Sequence, residues 1–421
     1  MNSSTYAKYL EILKTELIPA MGCTEPIAIA LTAANAKAHF PWKIESANIS
    51  VSANIIKNVK SVMVPNTGGL RGIEAACAAG IVAGDASREL EVLSGITDEE
   101  KEKIAEFIKS TNVSVSESQS GLVLDILITL TGEGHAVCAR TAGHHTGLCL
   151  ISVDGKTVFE KEIDESTSSY DDSVLSVKDI IEFADTADLD DVREIIERQI
   201  SYNTKIATEG LCGKYGAAIG RTLLMSYGNT VHNRAKAWAA AGSDARMNGC
   251  ELPVIINSGS GNQGMTASLP VIVYARELGV SDELLYRALL VSNLITIHLK
   301  TGIGCLSAYC GAISAGCGAG AGVMYLHGGK FNEISHTIVN ALAINSGVVC
   351  DGAKASCAAK IASAVESGLL GMQMYMHGKE FYNGDGIVAG SVEATIKNVG
   401  ELAQNGMAET DREIIRIMLK K

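Results

Sequence analysis

The stretch Thr301-Gly-Ile-Gly-Cys-Leu-Ser-Ala-Tyr-Cys-Gly-Ala-Ile-Ser-Ala-Gly-Cys-Gly-Ala-Gly-Ala-Gly-Val-Met-Tyr-Leu326 contains no charged side chain, and its length could cross a bilayer. Its composition argues for a different fate. Gly, Ala, Ser and Cys are too weakly apolar to drive insertion, whereas such small residues let helices approach closely inside a protein. The segment therefore reads as a buried helix of a globular chain. Helical stretches of Ala, Gly, Leu and Ile recur around it from about residue 200 to the end, punctuated by glycine-rich turns at 258–264, 301–304, 328–329, 351–352 and 384–386.

Upstream the period changes. Alternation in Ile49-Ser50-Val51-Ser52, the β-rich run Leu122 to Leu130, Ala136 to Arg140, and Leu148 to Val153 with its Asp154-Gly155 turn predict a sheet. Helices are predicted over 6–17, 26–38, 69–83, 98–109 and 176–200. The fold class is α+β, with a sheet-containing domain followed by a mainly all-helical one. The expected division is a helical segment 1–40 packing on the C-terminal helical domain, an α+β domain over 41–200 and an all-helical domain over 201–421. The charged stretch Asp164 to Asp191 marks the boundary.

The chain of 421 residues has 35 basic and 47 acidic side chains, a formal charge of −12 and 5% aromatic residues. This charge has the wrong sign for a nucleic-acid partner, and stacking platforms are scarce. Lys8, Glu11, Lys14 and Glu16 interrupt the N-terminal apolar residues, so no secretory signal is expected and the protein is placed in the cytoplasm, off the membrane. Eleven cysteines, odd in number and without scaffold spacing, then read as reduced thiols, some of them ligands or catalysts.

Cys23 stands before Thr24, Glu25 and Pro26, near the amino end of a helix, where unpaired N–H groups favour a thiolate able to act as base or nucleophile. Glu25 partly opposes this. A second group comprises Cys305, Cys310 and Cys317, with Cys350 and Cys357 downstream. No pair has the two-residue gap of a zinc ribbon. Seven positions of continuous helix would separate Cys350 from Cys357 by roughly 10 Å, but Asp351-Gly352 can break the path. With a single cysteine from the preceding helix, three thiolates could hold an iron–sulfur cluster with one iron left open. Spacing leaves open which cysteine that is. The segment Asn257-Ser-Gly-Ser-Gly-Asn-Gln-Gly264 places small polar groups before an apolar helix, a junction suited to anions or equally to an ordinary cap. Val64 to Gly69 is a weaker version, and Gly143-His144-His145-Thr146 offers a turn histidine. Lys300 and Lys354, the lysines that could form a Schiff base, are expected to be exposed.

Gly22-Cys-Thr-Glu-Pro26, Val64-Pro-x-Thr-Gly68, His145-Thr146, Gly210-Leu-x-Gly-Lys-x-Gly216, Ser243-Asp-Ala-Arg-Met247, the 257–264 segment, Leu306-Ser-Ala-x-Cys310 and Cys350-Asp-Gly-Ala-x-x-x-Cys357 follow one another along the chain. In these motifs the sequence resembles the iron–sulfur L-cysteine desulfidases, related to the α chain of bacterial iron–sulfur L-serine dehydratases. The resemblance implies β-elimination from L-cysteine to hydrogen sulfide, ammonia and pyruvate. It implies Cys23 as the base for the α-proton, and Cys310, Cys350 and Cys357 as ligands of a [4Fe-4S] cluster with one open iron site. Cys305 and Cys317 fall outside the pattern. Thr67, His145, Ser258, Ser260, Asn262 and Gln263 become candidates for holding the substrate carboxylate or ammonium; Gly147 stands where relatives often carry Asn. L-Serine is the alternative substrate. A pyridoxal-phosphate eliminase using the 258–264 loop and Lys300 or Lys354, and an iron–sulfur sensor, are more distant readings. The expected partner is a small amino acid, with a homodimer as the default assembly.

Overall fold

The structure is a computed structural model that describes residues 1–163, 170–304 and 307–419. Helix α1 (Ser3–Glu16) leads through strand β1 (Pro19–Met21) into α2 (Thr24–Ala38). Strand β2 (Ser46–Val51) and helices α3 (Ala53–Val59), α4 (Gly72–Ala83) and α5 (Asp98–Ser110) follow. Then come β3 (Asn112–Glu117), β4 (Asp125–Gly132), β5 (His135–Ala142), β6 (Leu148–Val153) and β7 (Lys156–Glu160). Helices α6 (Val177–Thr186), α7 (Arg193–Cys212), α8 (Ile219–Tyr227) and α9 (Val231–Met247) precede the short β8 (Pro253–Ile255). The remainder is α10 (Gly261–Leu278), α11 (Asp282–Thr301), α12 (Ala312–Leu326), α13 (Phe331–Ile344), α14 (Cys357–Met376), α15 (Val392–Glu401) and α16 (Ala408–Leu419). The fold is α+β, as the alternation and the helical periods predict.

The six-stranded sheet has the order β3-β2-β4-β5-β6-β7, parallel only between β2 and β3. Two-residue turns at Glu133-Gly134 and Asp154-Gly155, all four residues at positive φ, close two of its hairpins with the twist that the strands need. Alternate residues of β4, among them Ile126, Ile128 and Leu130, are buried on the side where α2 lies. The sequence pattern predicts neither the short β1 and β8 nor two strands of this sheet, β3 and β7. β7 is exposed at every residue, so no buried face gives it a period, and β3, although Val113 and Val115 alternate with serines, is short and buries no residue fully. The predicted helix over 176–200 is two helices. The chain turns between Thr186 and Arg193, where the Asp188 carboxylate accepts the Asp190 N–H at 3.0 Å and competes with helix continuation.

The helices of the second half gather round α12, every residue of which is buried. It packs against α10, α11, α13 and α14, and its glycines set the spacing. A Cβ on Gly316 would stand 2.2 Å from the Ala364 carbonyl oxygen, and one on Gly318 would stand 2.2 Å from Thr296 Oγ1. Among the described residues no helix is long and apolar enough to cross a membrane.

The link between the two halves positions the site. β1 pairs antiparallel with β8, Ala20 opposite Val254, and the Ile256 N–H donates to the Ile18 carbonyl at 3.0 Å. Cys23 follows β1 and the 257–264 segment follows β8, so this small ladder brings the two motifs together although more than 200 residues separate them.

Candidate active site

Cys23 is the residue capping α2, reached through Gly22 at φ +64°, where a Cβ would meet Pro65 Cγ at 2.8 Å. Its thiol donates to Met247 Sδ at 3.7 Å and packs with Val62 and Met247, and Ala353 and Cys357 lie against the same cluster. The helix end favours a thiolate, but burial dominates: it pushes the Cys23 thiol up to about 12 against the pull of Arg246.

Cys310 and Cys350 are brought side by side by backbone pairing. Tyr309 bridges Val349, the Cys310 N–H donates to the Val348 carbonyl at 2.9 Å, and the Cys350 N–H donates to the Ala308 carbonyl at 2.6 Å. The Cys310 thiol hydrogen-bonds the Cys350 sulfur, which holds Cys350 well below the ordinary thiol range and Cys310 above it. The path to Cys357 breaks at Gly352, whose φ is +93° and whose Cβ would stand 2.4 Å from the Lys57 carbonyl oxygen. Cys357 then opens α14, its thiol donating to the Gly352 carbonyl at 3.7 Å. The three thiols and Cys23 line one cavity of about 110 Å³. Cys317 lies in the core, away from it, and Cys305 lies outside the described residues.

Polar atoms without partners collect at this cavity. Asn58 Oδ1, Arg246 Nε, Asn262 Oδ1, Gln263 Oε1 and Tyr309 OH are buried and unbonded, and all five residues line it. Such groups are expensive to leave unsatisfied, so their convergence marks a place built for something else to bind. Among the described residues no three His, Cys, Asp or Glu side chains close round a single metal ion. A cluster spreads its ligands further apart than one ion does, and an all-sulfur donor set with one thiol already favouring ionisation suits it. On the chemistry of its donors the cavity fits an iron–sulfur cluster.

The other predicted residues divide. Ser260, Asn262 and Gln263 line the cysteine cavity, with Asn262 Nδ2 donating to Met247 Sδ at 3.6 Å. His145 and Ser258 line an adjacent cleft of about 350 Å³ between the 143–149 loop and the start of α10. Glu25, Ser260, Gln263 and Lys300 line both and form the partition. Burial pushes the His145 imidazole below its ordinary pKa, and its Nε2 is unbonded. Ser258 donates its hydroxyl to Asn257 Oδ1 at 2.9 Å, and Thr67 donates to the Val64 carbonyl at 2.8 Å and lines neither space.

Lys300 is 7% exposed and at the partition, not on the surface as expected, because α11 runs through the core as far as its last turn. Its Nζ donates to the Gly304 carbonyl, and Lys354 pairs with Asp351. Sequence reasoning did not single out Arg246, Asn58 or Tyr309 as site residues. Arg246 sits within the Ser243–Met247 motif, which is the one signal that could have drawn attention to it.

The family described as serine dehydratase alpha chain matches residues 87–416. The chain belongs to the serine dehydratase alpha chain family. The match takes in Arg246, the 257–264 loop, Cys310, Cys350 and Cys357, while Cys23 precedes it. The chain is also similar to a UPF0597 protein of Desulfitobacterium hafniense, 57% identical over 418 residues, 99% of this chain and 97% of the relative. It is 52% identical over 415 residues to a UPF0597 protein of Lachnoclostridium phytofermentans, covering 98% of this chain and all of the relative. These relatives, unlike the serine dehydratase alpha match, extend over the Cys23 region.

Proposed function

We propose that this family member is an iron–sulfur-dependent β-eliminating lyase of the cytoplasm that converts L-cysteine to hydrogen sulfide, ammonia and pyruvate. The observation that carries the reading is the meeting of Cys310, Cys350 and Cys357 with Cys23 at one small cavity ringed by unbonded polar atoms. Cys310, Cys350 and Cys357 would hold the cluster, and the domain carrying it would be the helical 201–421. When bound, a cluster with an open iron supplies a Lewis acid for the leaving group.

The chain's own contribution is orientation, exclusion of water and movement of one proton. Cys23, once ionised, takes the proton from the substrate α-carbon; those electrons form the Cα–Cβ double bond, and the β-sulfur leaves with its bonding pair. The released enamine tautomerises and hydrolyses in water to pyruvate and ammonia, so the only co-reactant is water. Raising a thiol to about 12 makes it a strong base after ionisation, and the Arg246 charge favours that ionisation. Ser260, Asn262 and Gln263 border the space a small amino acid would occupy.

Anaerobically purified protein is expected to be brown and to release sulfide and pyruvate from L-cysteine. Colourless, iron-free protein with full activity would overturn the reading. The serine dehydratase match favours L-serine as a second substrate, since the two amino acids differ only in the leaving group. The ratio of the two kcat/KM values decides between them.

A further inference from the structure

Two opposite charges line the cysteine cavity and do not pair with each other. Arg246, in the last turn of α9, is 4% exposed and forms no ion pair or side-chain hydrogen bond among the described residues. Its guanidinium lies over Gly261: a Cβ there would stand 2.4 Å from Nε and 2.9 Å from Cζ, so the glycine leaves room for it. A cation this deeply buried needs an anion, and the described residues place none within ion-pair distance of it. Glu25, in the first turn of α2, accepts from Asn58 Nδ2 at 2.9 Å and from Thr24 Oγ1 at 3.2 Å, and among the described residues meets no cation within ion-pair distance. Both residues line the same cavity.

Cys23 lines the same cavity as both charges. It is two positions before Glu25, and its sulfur touches Met247, the neighbour of Arg246. Gln263 adds an unbonded carbonyl oxygen, a further acceptor for an ammonium group. Resting on the reading that the cavity takes a free amino acid, we propose that Arg246 and Glu25 clamp its zwitterion, the guanidinium binding the α-carboxylate and the Glu25 carboxylate binding the α-ammonium. A substrate so held has its α-carbon beside Cys23 and its β-substituent directed toward the three other cysteines. The clamp selects unmodified α-amino acids and rejects thiols that lack either charge, such as cysteamine and 3-mercaptopropionate.

The test is calorimetric titration of the iron-loaded protein with L-alanine, which carries both charges and no leaving group, beside iron content and steady-state kinetics with L-cysteine. Arg246→Gln is expected to weaken L-alanine binding by at least about thirty-fold, as truncating one partner of a buried charge pair does, with wild-type iron content and a raised KM. Glu25→Gln, which keeps shape and removes charge, is expected to act in the same direction, and Arg246→Lys is expected to recover part of the loss. L-Alanine binding within threefold of wild type in both Gln variants would overturn the clamp. Loss of iron with L-alanine binding intact would overturn it too, assigning Arg246 to the metal. Wild-type protein that turns over L-cysteine while the variants bind normally sinks the clamp alone. Wild-type protein that binds no amino acid sinks both the clamp and the proposed activity.

Discussion

Cys310 and Cys317 lie seven residues apart on one uncharged stretch of chain, and the fold gives them opposite surroundings. Cys317 is inside α12, 1% exposed, its thiol pushed up to about 12 by burial alone. Cys310 is just before that helix, hydrogen-bonded to the Cys350 sulfur and bordering the cavity. Where the backbone is helical, its glycines bring the carbonyls of α14 close and the space between the helices is filled. Where the helix has yet to start, two short segments pair, Gly352 turns the chain, and polar side chains line a small cavity. The lesson is that reactivity resides at the ends of this core, and the core itself serves to hold those ends still.

The contrast can be broken most severely at the ligands. Serine at Cys310, Cys350 or Cys357 is expected to reduce iron content and sulfide release to background while the thermal melt stays near wild type. Full iron retention in any one variant would remove that residue from the set. Cys23→Ser tests the other wall: iron is expected to be kept and kcat to fall about a hundredfold to ten-thousandfold, the range for a lost general base. On the core side, Gly316→Val drives side-chain carbons into the Ala364 carbonyl, only 2.2 Å from an added Cβ, and is expected to cost about 3 kcal/mol in urea denaturation. Cys317→Ala, the counterpart of Cys310→Ser, is expected to cost about 1 kcal/mol and leave iron and turnover unchanged. Loss of iron there would erase the distinction between the two cysteines.

The smallest effect concerns pH. Asp244 is buried in α9, where its carboxylate accepts the Gly220 N–H at 3.0 Å and burial raises its pKa to about 6. The folded protein therefore holds this proton more tightly than the unfolded chain, whose carboxyl titrates near about 4. The stability it contributes is complete below that value and is lost as pH rises through about 6. Asp244→Asn is thus expected to gain in melting temperature relative to wild type between pH 4 and pH 7, and a gap flat across that range would refute the assignment.

Much of this was legible in the sequence because it depends on local pattern. The β6–β7 turn carries Asp-Gly, the uncharged stretch reveals a tightly packed helix, and the Gly-rich loop before α10 declares a polar junction. Strand β7 was not legible, having no buried side, and neither was the burial of Lys300 and Arg246. A basic residue in the last turn of a helix normally faces water, and only neighbouring helices determine otherwise.

The sequence by itself determined which residues could do chemistry: four cysteines in recognisable motifs and a loop of small polar groups. The tertiary structure decided that they meet, through a three-residue ladder between β1 and β8 and an antiparallel pairing of 308–310 with 348–350. It also decided that Thr67 stays apart and that Arg246 comes in. The reason is physical: residue type and spacing fix local geometry, but the distance between groups far apart in the chain, and the dielectric they share, exist only once the helices and the sheet have closed around them.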